Sequence, residues 1–300
     1  MNLRVGIEGD RPYIGILFYS ISIFLSTMIG ALTRFIGNIY PANEILFFRG
    51  LVVVLMMLVF FWIKKDFSLI VPKRPKILFI RSIIGFIGVI CSVKCYTSLP
   101  IAQATTIIQT TPFFIVFFAW VLLGEKITFA KIIAIIVGFI GIIATINPEL
   151  NSIQYGFIFG LATAFLRCLT SIFMRTIGKT DTIYTSVFFY SLACTILSGI
   201  WLTTNWVTPS LEHILVFLLM GVITFFSELS CSLGFRYAQA VILSPYSYFG
   251  LLWAAILGYF FCGEVPTSSI IIGGSLIIGS GLYILYQEKN KSKKIKNATL

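Results

Sequence analysis

Charge is scarce in this chain. Asp, Glu, Lys and Arg make up 11% of its 300 residues, against about one-quarter in a soluble domain, which excludes a water-exposed globular surface of ordinary composition. Histidine occurs once, as His213, far from any His-Glu-x-x-His or paired-ligand spacing, so metal and Ser-His chemistry are poorly supplied. Cysteine occurs six times (Cys91, Cys95, Cys168, Cys194, Cys231, Cys262), always inside apolar runs and never as Cys-x-x-Cys. That spacing argues against a disulfide framework or a zinc site and reads as buried thiols filling space. A phosphate-cradling Walker sequence is missing, which argues against bound ATP as an energy source, and nothing in the motif set implies a cofactor or a metal. Missing too is any polar stretch long enough for a separate soluble domain.

Apolar residues fill the gap: 58% of the chain is hydrophobic and its mean hydropathy is +0.98. A helix crosses a bilayer core with about 20 apolar residues. Runs of that order predict ten spans, over 12–36, 43–63, 77–98, 101–123, 128–146, 153–175, 183–203, 212–236, 240–262 and 268–286. The first follows Arg4 and Arg11 like the charged start of a signal peptide. Its apolar part is too long and no small-residue cleavage site follows, so it reads as an uncleaved helix.

The net charge of +11 raises the question of nucleic acid, but in a membrane protein the distribution of Lys and Arg among loops reports orientation. With both termini cytoplasmic, 17 of the 22 Lys and Arg fall on the inner side, Lys73, Arg74, Lys76, Arg81, Lys126, Lys179 and the run Lys289–Lys296 among them. The breaks near 150, 207 and 266 contain none, and Arg34 is the comparable outer candidate. The basic tail therefore reads as an anchor beside anionic lipid and not as a nucleic-acid arm. A multi-pass protein of the inner (cytoplasmic) membrane is expected.

One motif is written twice. Gly124-Glu125-Lys126-Ile127-Thr128 and Gly263-Glu264-Val265-Pro266-Thr267 stand 139 positions apart, each between two apolar runs. Glycine suits the end of one helix and threonine the cap of the next, so each copy is first a tight helix–helix turn. The first joins helices four and five, the second nine and ten. Each half thus holds five helices, an odd number, and the second half must enter the membrane from the opposite face. Two inverted halves with a site between them near the midplane are a recurring plan of secondary transporters.

With these residues in hand the chain resembles the EamA-type carriers of the drug/metabolite transporter superfamily. First-half marks are Glu44-Ile-Leu-Phe-Phe-Arg49-Gly50, Leu99-Pro100-Ile-Ala102-Gln-Ala104 with Pro112 following, and the first Gly-Glu. The second-half mark runs from Phe235 through Pro245, Tyr246 and Tyr248 to Trp253 and Gly263-Glu264-Val-Pro266. The resemblance implies an all-α membrane fold of ten transmembrane helices in two inverted five-helix repeats, residues 1–150 and 151–287, with a basic cytoplasmic tail over 288–300. The second-half string looks like a subgroup that includes S-adenosylmethionine uptake carriers and other amino-acid and metabolite exporters.

An ionisable group inside a span costs at least about 2.5–3.5 kcal/mol near the bilayer centre, so each needs a partner, a water-filled cavity or an exit to the interface. Arg49, Lys94, Arg167, Glu228 and Arg236 are such groups. Long basic side chains can snorkel, which is the plain reading of Arg236 and an equal alternative for Lys94. Glu228 is too short to do so; it either pairs with Arg167 across helices six and eight or serves a cavity, with proton binding as one use. Gln103, Gln109 and Thr110 on helix four and Tyr246, Tyr248 and Trp253 on helix nine extend the candidate lining. Gly156-x-x-x-Gly160 and the glycines at 273, 274, 279 and 281 read as close helix-packing positions.

The expected function is a secondary transporter, moving a small metabolite by alternating access, with S-adenosylmethionine uptake as the foremost substrate. A coupling ion or counter-substrate is a further possible partner. The readings left open beside it are an exporter of amino acids or drug-like metabolites and a membrane-embedded transferase.

Overall fold

The computed structural model describes residues 12–65, 70–111, 113–114, 117–118, 129–144, 155–177, 181–202, 206–238 and 243–298. Among them are ten α-helices and no strand: α1 (Pro12–Ile36), α2 (Ala42–Lys64), α3 (Pro75–Ser98), α4 (Ile101–Ile108), α5 (Phe129–Ala144), α6 (Tyr155–Ile177), α7 (Ile183–Leu202), α8 (Leu211–Tyr237), α9 (Phe249–Cys262) and α10 (Ser268–Ala298). Of these, α1, α2, α3, α6, α7 and α8 are long and apolar enough to cross a membrane. The apolar runs set their lengths and the local chemistry sets their ends. Pro75 opens α3, where its missing N–H costs nothing, and Ser210 caps α8 by accepting the His213 N–H.

Helices pack mainly across the middle of the sequence. α1 lies along α8, α3 along α6, α2 along α7 and α5 along α10. Adding five to each helix number turns the α1–α8 pair into α6–α3 and returns α2–α7 and α5–α10 to themselves, so the packing has the symmetry of two five-helix repeats. Small residues allow the closest approaches. A Cβ at Gly15 would stand 2.5 Å from that of Ala238, one at Gly156 2.7 Å from that of Ser98, and one at Gly160 2.7 Å from the Ile107 side chain. Gly279 departs from the packing expectation, with open space around it.

The ends of the helices show that the repeats are inverted. At one end of the bundle, Arg34 of late α1 meets Glu264, Asn43 of early α2 donates to the Trp201 carbonyl of late α7, and Gly156 of early α6 sits on Ser98. At the opposite end the Lys73 N–H donates to Asp181 Oδ1 at 2.6 Å, and Gly15 of early α1 packs on Ala238. α1 therefore finishes at the end where α6 begins. Lys64, Lys65, Lys73, Arg74 and Lys76 all lie toward the Lys73 end.

The fourth helix of each repeat is interrupted. In the first repeat the chain turns at Gln109 and Thr110, where Thr110 N–H reaches the Ile107 carbonyl and Phe113 N–H the Thr110 carbonyl. Pro112 explains the switch, because it has no N–H for the next helical bond. In the second repeat a 3₁₀ turn, Ser244–Tyr248 with Pro245 in its first positions, leads into α9. Gln109 Nε2 donates to the Ser247 carbonyl, joining the two interruptions.

Candidate functional site

Of the charges expected inside the membrane, Arg49 and Glu228 lie in electrostatic range of a residue the sequence did not single out. Tyr190 of α7 is buried, and the charges of Arg49, Arg81 and Glu228 all act on it. Gly50 of α2 packs so tightly on α7 that a Cβ there would stand 2.6 Å from Thr195 Oγ1, and its neighbour Arg49 acts electrostatically on Tyr190 and Cys194 of α7. On α3, Arg81 and Gly85 are one helical turn apart and share a face. Gly85 admits the Tyr190 ring, whose Cε2 lies 2.6 Å from where a Cβ would be. Arg81 then lies over that ring, its Cζ 5.2 Å from the centroid.

Arg81, counted among the inner-side cations, is a buried side chain. It is 5% exposed, donates from one terminal nitrogen to the Ser186 carbonyl at 3.2 Å, and leaves its buried Nε without a partner. Glu228 of α8 is its acidic neighbour. The alternative pairing of Glu228 with Arg167 is not formed; among the described residues the ion pair within 4.0 Å is Arg34–Glu264. Arg167 of α6 instead acts on Tyr19, Cys95, Tyr96 and Cys231, which come from α1, α3 and α8. The charges of Arg167, Arg81 and Glu228 all reach Cys231. Arg49 and Arg81 from the first repeat thus face Arg167 and Glu228 from the second.

The uncharged candidates cluster around the interrupted helices. Gln103 is buried on α4, and Thr105 beside it lies 3.4 Å from the Tyr96 hydroxyl. Trp253 is half-buried and packs edge-on against Phe24, centroids 4.8 Å apart, while Tyr246 packs on Phe249 at 5.9 Å. Tyr248 is buried against α10, and its hydroxyl, which has no hydrogen-bond partner, lies 1.5 Å from where a Cβ at Gly281 would be. Lys94 lies exposed near the C-terminal end of α3. Gln109 holds the α4 interruption to Ser247, as described.

Of the repeated motif, Gly124, Glu125 and Thr128 lie outside the described residues. The second copy is resolved as a turn. Gly263 takes φ 63°, the left-handed conformation glycine adopts without a Cβ penalty, and its N–H bonds the Tyr259 carbonyl at 3.1 Å. Thr267 Oγ1 accepts the Ile270 N–H at 3.4 Å as α10 begins. Glu264 goes further than a turn residue: Oε1 accepts from Arg34 Nε at 3.2 Å and Oε2 from the Ile101 N–H at 2.7 Å, while Arg34 also donates to the Thr97 carbonyl. Beneath it a crevice of about 160 Å³ is lined by Pro100, Ala102, Ala254 and Gly258. Glu44, another motif residue, is fully buried at the same end, one oxygen accepting the Val207 N–H at 3.2 Å.

Comparison with known proteins agrees with the two-repeat architecture. The EamA-like transporter family matches the chain twice, over residues 13–147 and 154–286. An S-adenosylmethionine uptake transporter of Rickettsia bellii (strain RML369-C) is 30% identical over 290 residues, covering 94% of this chain and 97% of its own. The pseudopaline exporter CntI of Pseudomonas aeruginosa (strain UCBPP-PA14) is 24% identical, covering 88% and 93%. A solved crystal structure superposes with a TM-score of 0.67 at 16% identity, covering 92% of this chain and 98% of the other.

Proposed function

Because the chain belongs to the EamA-like transporter family, and is a multi-span membrane transporter and not an enzyme, we propose that it is a secondary carrier for S-adenosylmethionine uptake, working by alternating access in the inner membrane with both termini cytoplasmic. The observation that carries this reading is the buried guanidinium of Arg81, which lies over the Tyr190 ring with its Nε unpartnered and with Glu228 of the second repeat in electrostatic range. Ionisable groups so placed mark solute pathways in membrane proteins. The interrupted fourth helices, joined by Gln109 and Ser247, give each repeat a place where backbone groups leave the helical ladder.

The orientation follows from charge. The Lys73 end holds five described Lys and Arg on the α2–α3 connection and its flanks, and such an excess belongs on the cytoplasmic side. Export of an amino-acid-like metabolite is the second reading, favoured by the likeness to CntI. Both are tested with the purified protein in vesicles. Labelled S-adenosylmethionine is offered from outside to vesicles with and without protein, then loaded inside and followed outward. Faster movement with protein than without supports the carrier, and the asymmetry between the two arms gives its direction. Movement equal to that in protein-free vesicles, beside clear transport of a neutral amino acid, removes S-adenosylmethionine and keeps the carrier.

A further inference from the structure

Resting on the carrier reading, we infer that Arg81, Tyr190 and Glu228 form a head-group subsite for an α-amino carboxylate, Arg81 taking the carboxylate and Glu228 the ammonium. Arg81 is the residue that points to a ligand. A guanidinium presents five donors in a fixed fork. Here one terminal nitrogen is spent on the Ser186 carbonyl and the buried Nε–H has no partner. Orphaned donors on a buried cation are costly, and a planar carboxylate is the acceptor that matches the fork.

The second feature is separation. Glu228 acts electrostatically on Arg81, yet the two are not joined within 4.0 Å among the described residues. A direct ion pair would make them a structural unit. Held apart, the base and the acid can each take the opposite charge of a zwitterion whose carboxylate and ammonium sit on one carbon. The Tyr190 ring, packed into the notch at Gly85 and lying under the guanidinium, fixes Arg81 on one side of that gap.

The third feature is sign. Arg49 and Arg81 act electrostatically on Tyr190, Arg81 and Arg167 on Cys231, and Glu228 is the acid common to both. The surplus positive charge rejects a solute that carries an amine alone and accepts one that brings a carboxylate. The subsite therefore selects amino acids and their conjugates over the corresponding amines, whatever side chain follows.

The test edits the ligand before the protein. The full-length protein in proteoliposomes is offered S-adenosylmethionine, its decarboxylated analogue, methionine, 3-methylthiopropylamine and 4-methylthiobutanoate, scored by uptake and by ligand-induced thermal stabilisation. The expected result is that loss of the carboxylate lowers apparent affinity about 10- to 100-fold, the range of a charge-assisted pair, and that loss of the amino group also weakens binding. Arg81→Gln then weakens the amino acids and leaves the decarboxylated compounds unweakened or better bound, because a repelling charge is gone; Arg81→Lys, which keeps the charge, retains part of the preference.

Should Arg81→Gln not reach the membrane, the ligand pairs on the unmodified protein decide alone. Equal affinity for S-adenosylmethionine and its decarboxylated analogue overturns the subsite, as does equal weakening of all ligands by Arg81→Gln. Failure of all five compounds to bind overturns it as well. Methionine recognised through both head groups, with S-adenosylmethionine inert, upholds the subsite while discarding the substrate proposed above.

Discussion

Glu264→Gln is the most informative single change outside the charged centre, because the structure gives each carboxylate oxygen a different task. Oε2 receives the Ile101 N–H at 2.7 Å, in the first turn of α4 directly after Pro100, where backbone donors have no intrahelical partner and the helix dipole favours an anion. Oε1 receives Arg34 Nε at 3.2 Å, and both side chains are mostly buried, 25% and 19% exposed. A glutamine keeps one acceptor for Ile101 but loses its charge toward Arg34 and the helix end. The surface-like part of the pair is worth about 0.5–1 kcal/mol and the charge at the helix start about 0.3–1 kcal/mol, so a loss of about 1–2 kcal/mol is expected.

The assay is a double-mutant cycle of Arg34→Gln and Glu264→Gln, with unfolding followed in mixed micelles. The ion pair predicts a coupling of about 1 kcal/mol, because the second substitution removes what the first has already disabled. The thermal midpoint should also lose its dependence on ionic strength in either single variant. Additive effects, within about 0.3–0.5 kcal/mol, would refute the claim that Glu264 joins the two repeats through Arg34.

Other consequences are equally concrete. Tyr248→Phe removes a buried hydroxyl that has no partner and should leave the protein equally stable or more stable by about 1 kcal/mol, while Gly281→Val should fail to accumulate, since no side chain fits beside that ring; unfolding curves and membrane yield measure both. Single cysteines at Lys73 and Val265 should react with an impermeant reagent from opposite sides of the membrane; reaction from the same side would break the inverted-repeat topology. Glu228→Gln should insert normally yet lower uptake at least tenfold, and unchanged uptake kinetics would remove Glu228 from the transport path.

Span positions were legible because hydropathy is a local property. The runs at 12–36 and 183–203 became Pro12–Ile36 and Ile183–Leu202. The interruptions in helices four and nine were not, since Gln109 and Ser247 stay within apolar runs and the cause is a missing proline N–H. The cost of burying charge singled out Arg49, Arg167 and Glu228 as residues in need of partners, but not what those partners are. Arg81, six residues after Pro75, was counted only as an inner-side cation; its burial depends on Ser186 and Tyr190, more than 100 positions away. Likewise the turn chemistry of Gly263 was readable from spacing, whereas the bond from Arg34 to Glu264 joins residues 230 positions apart.

Alternating exposure of the charged centre is the claim on which the transport account depends, and the native Cys231 is placed to report it. It is half-buried on α8, within reach of the charges of Glu228, Arg81 and Arg167. In a variant that keeps Cys231 and replaces the other five cysteines, in vesicles of defined orientation, an impermeant thiol reagent is applied to each side separately, with and without S-adenosylmethionine. The account predicts modification from either side and protection by the substrate. Modification confined to one side under all conditions, or reactivity indifferent to every transported solute, would contradict it.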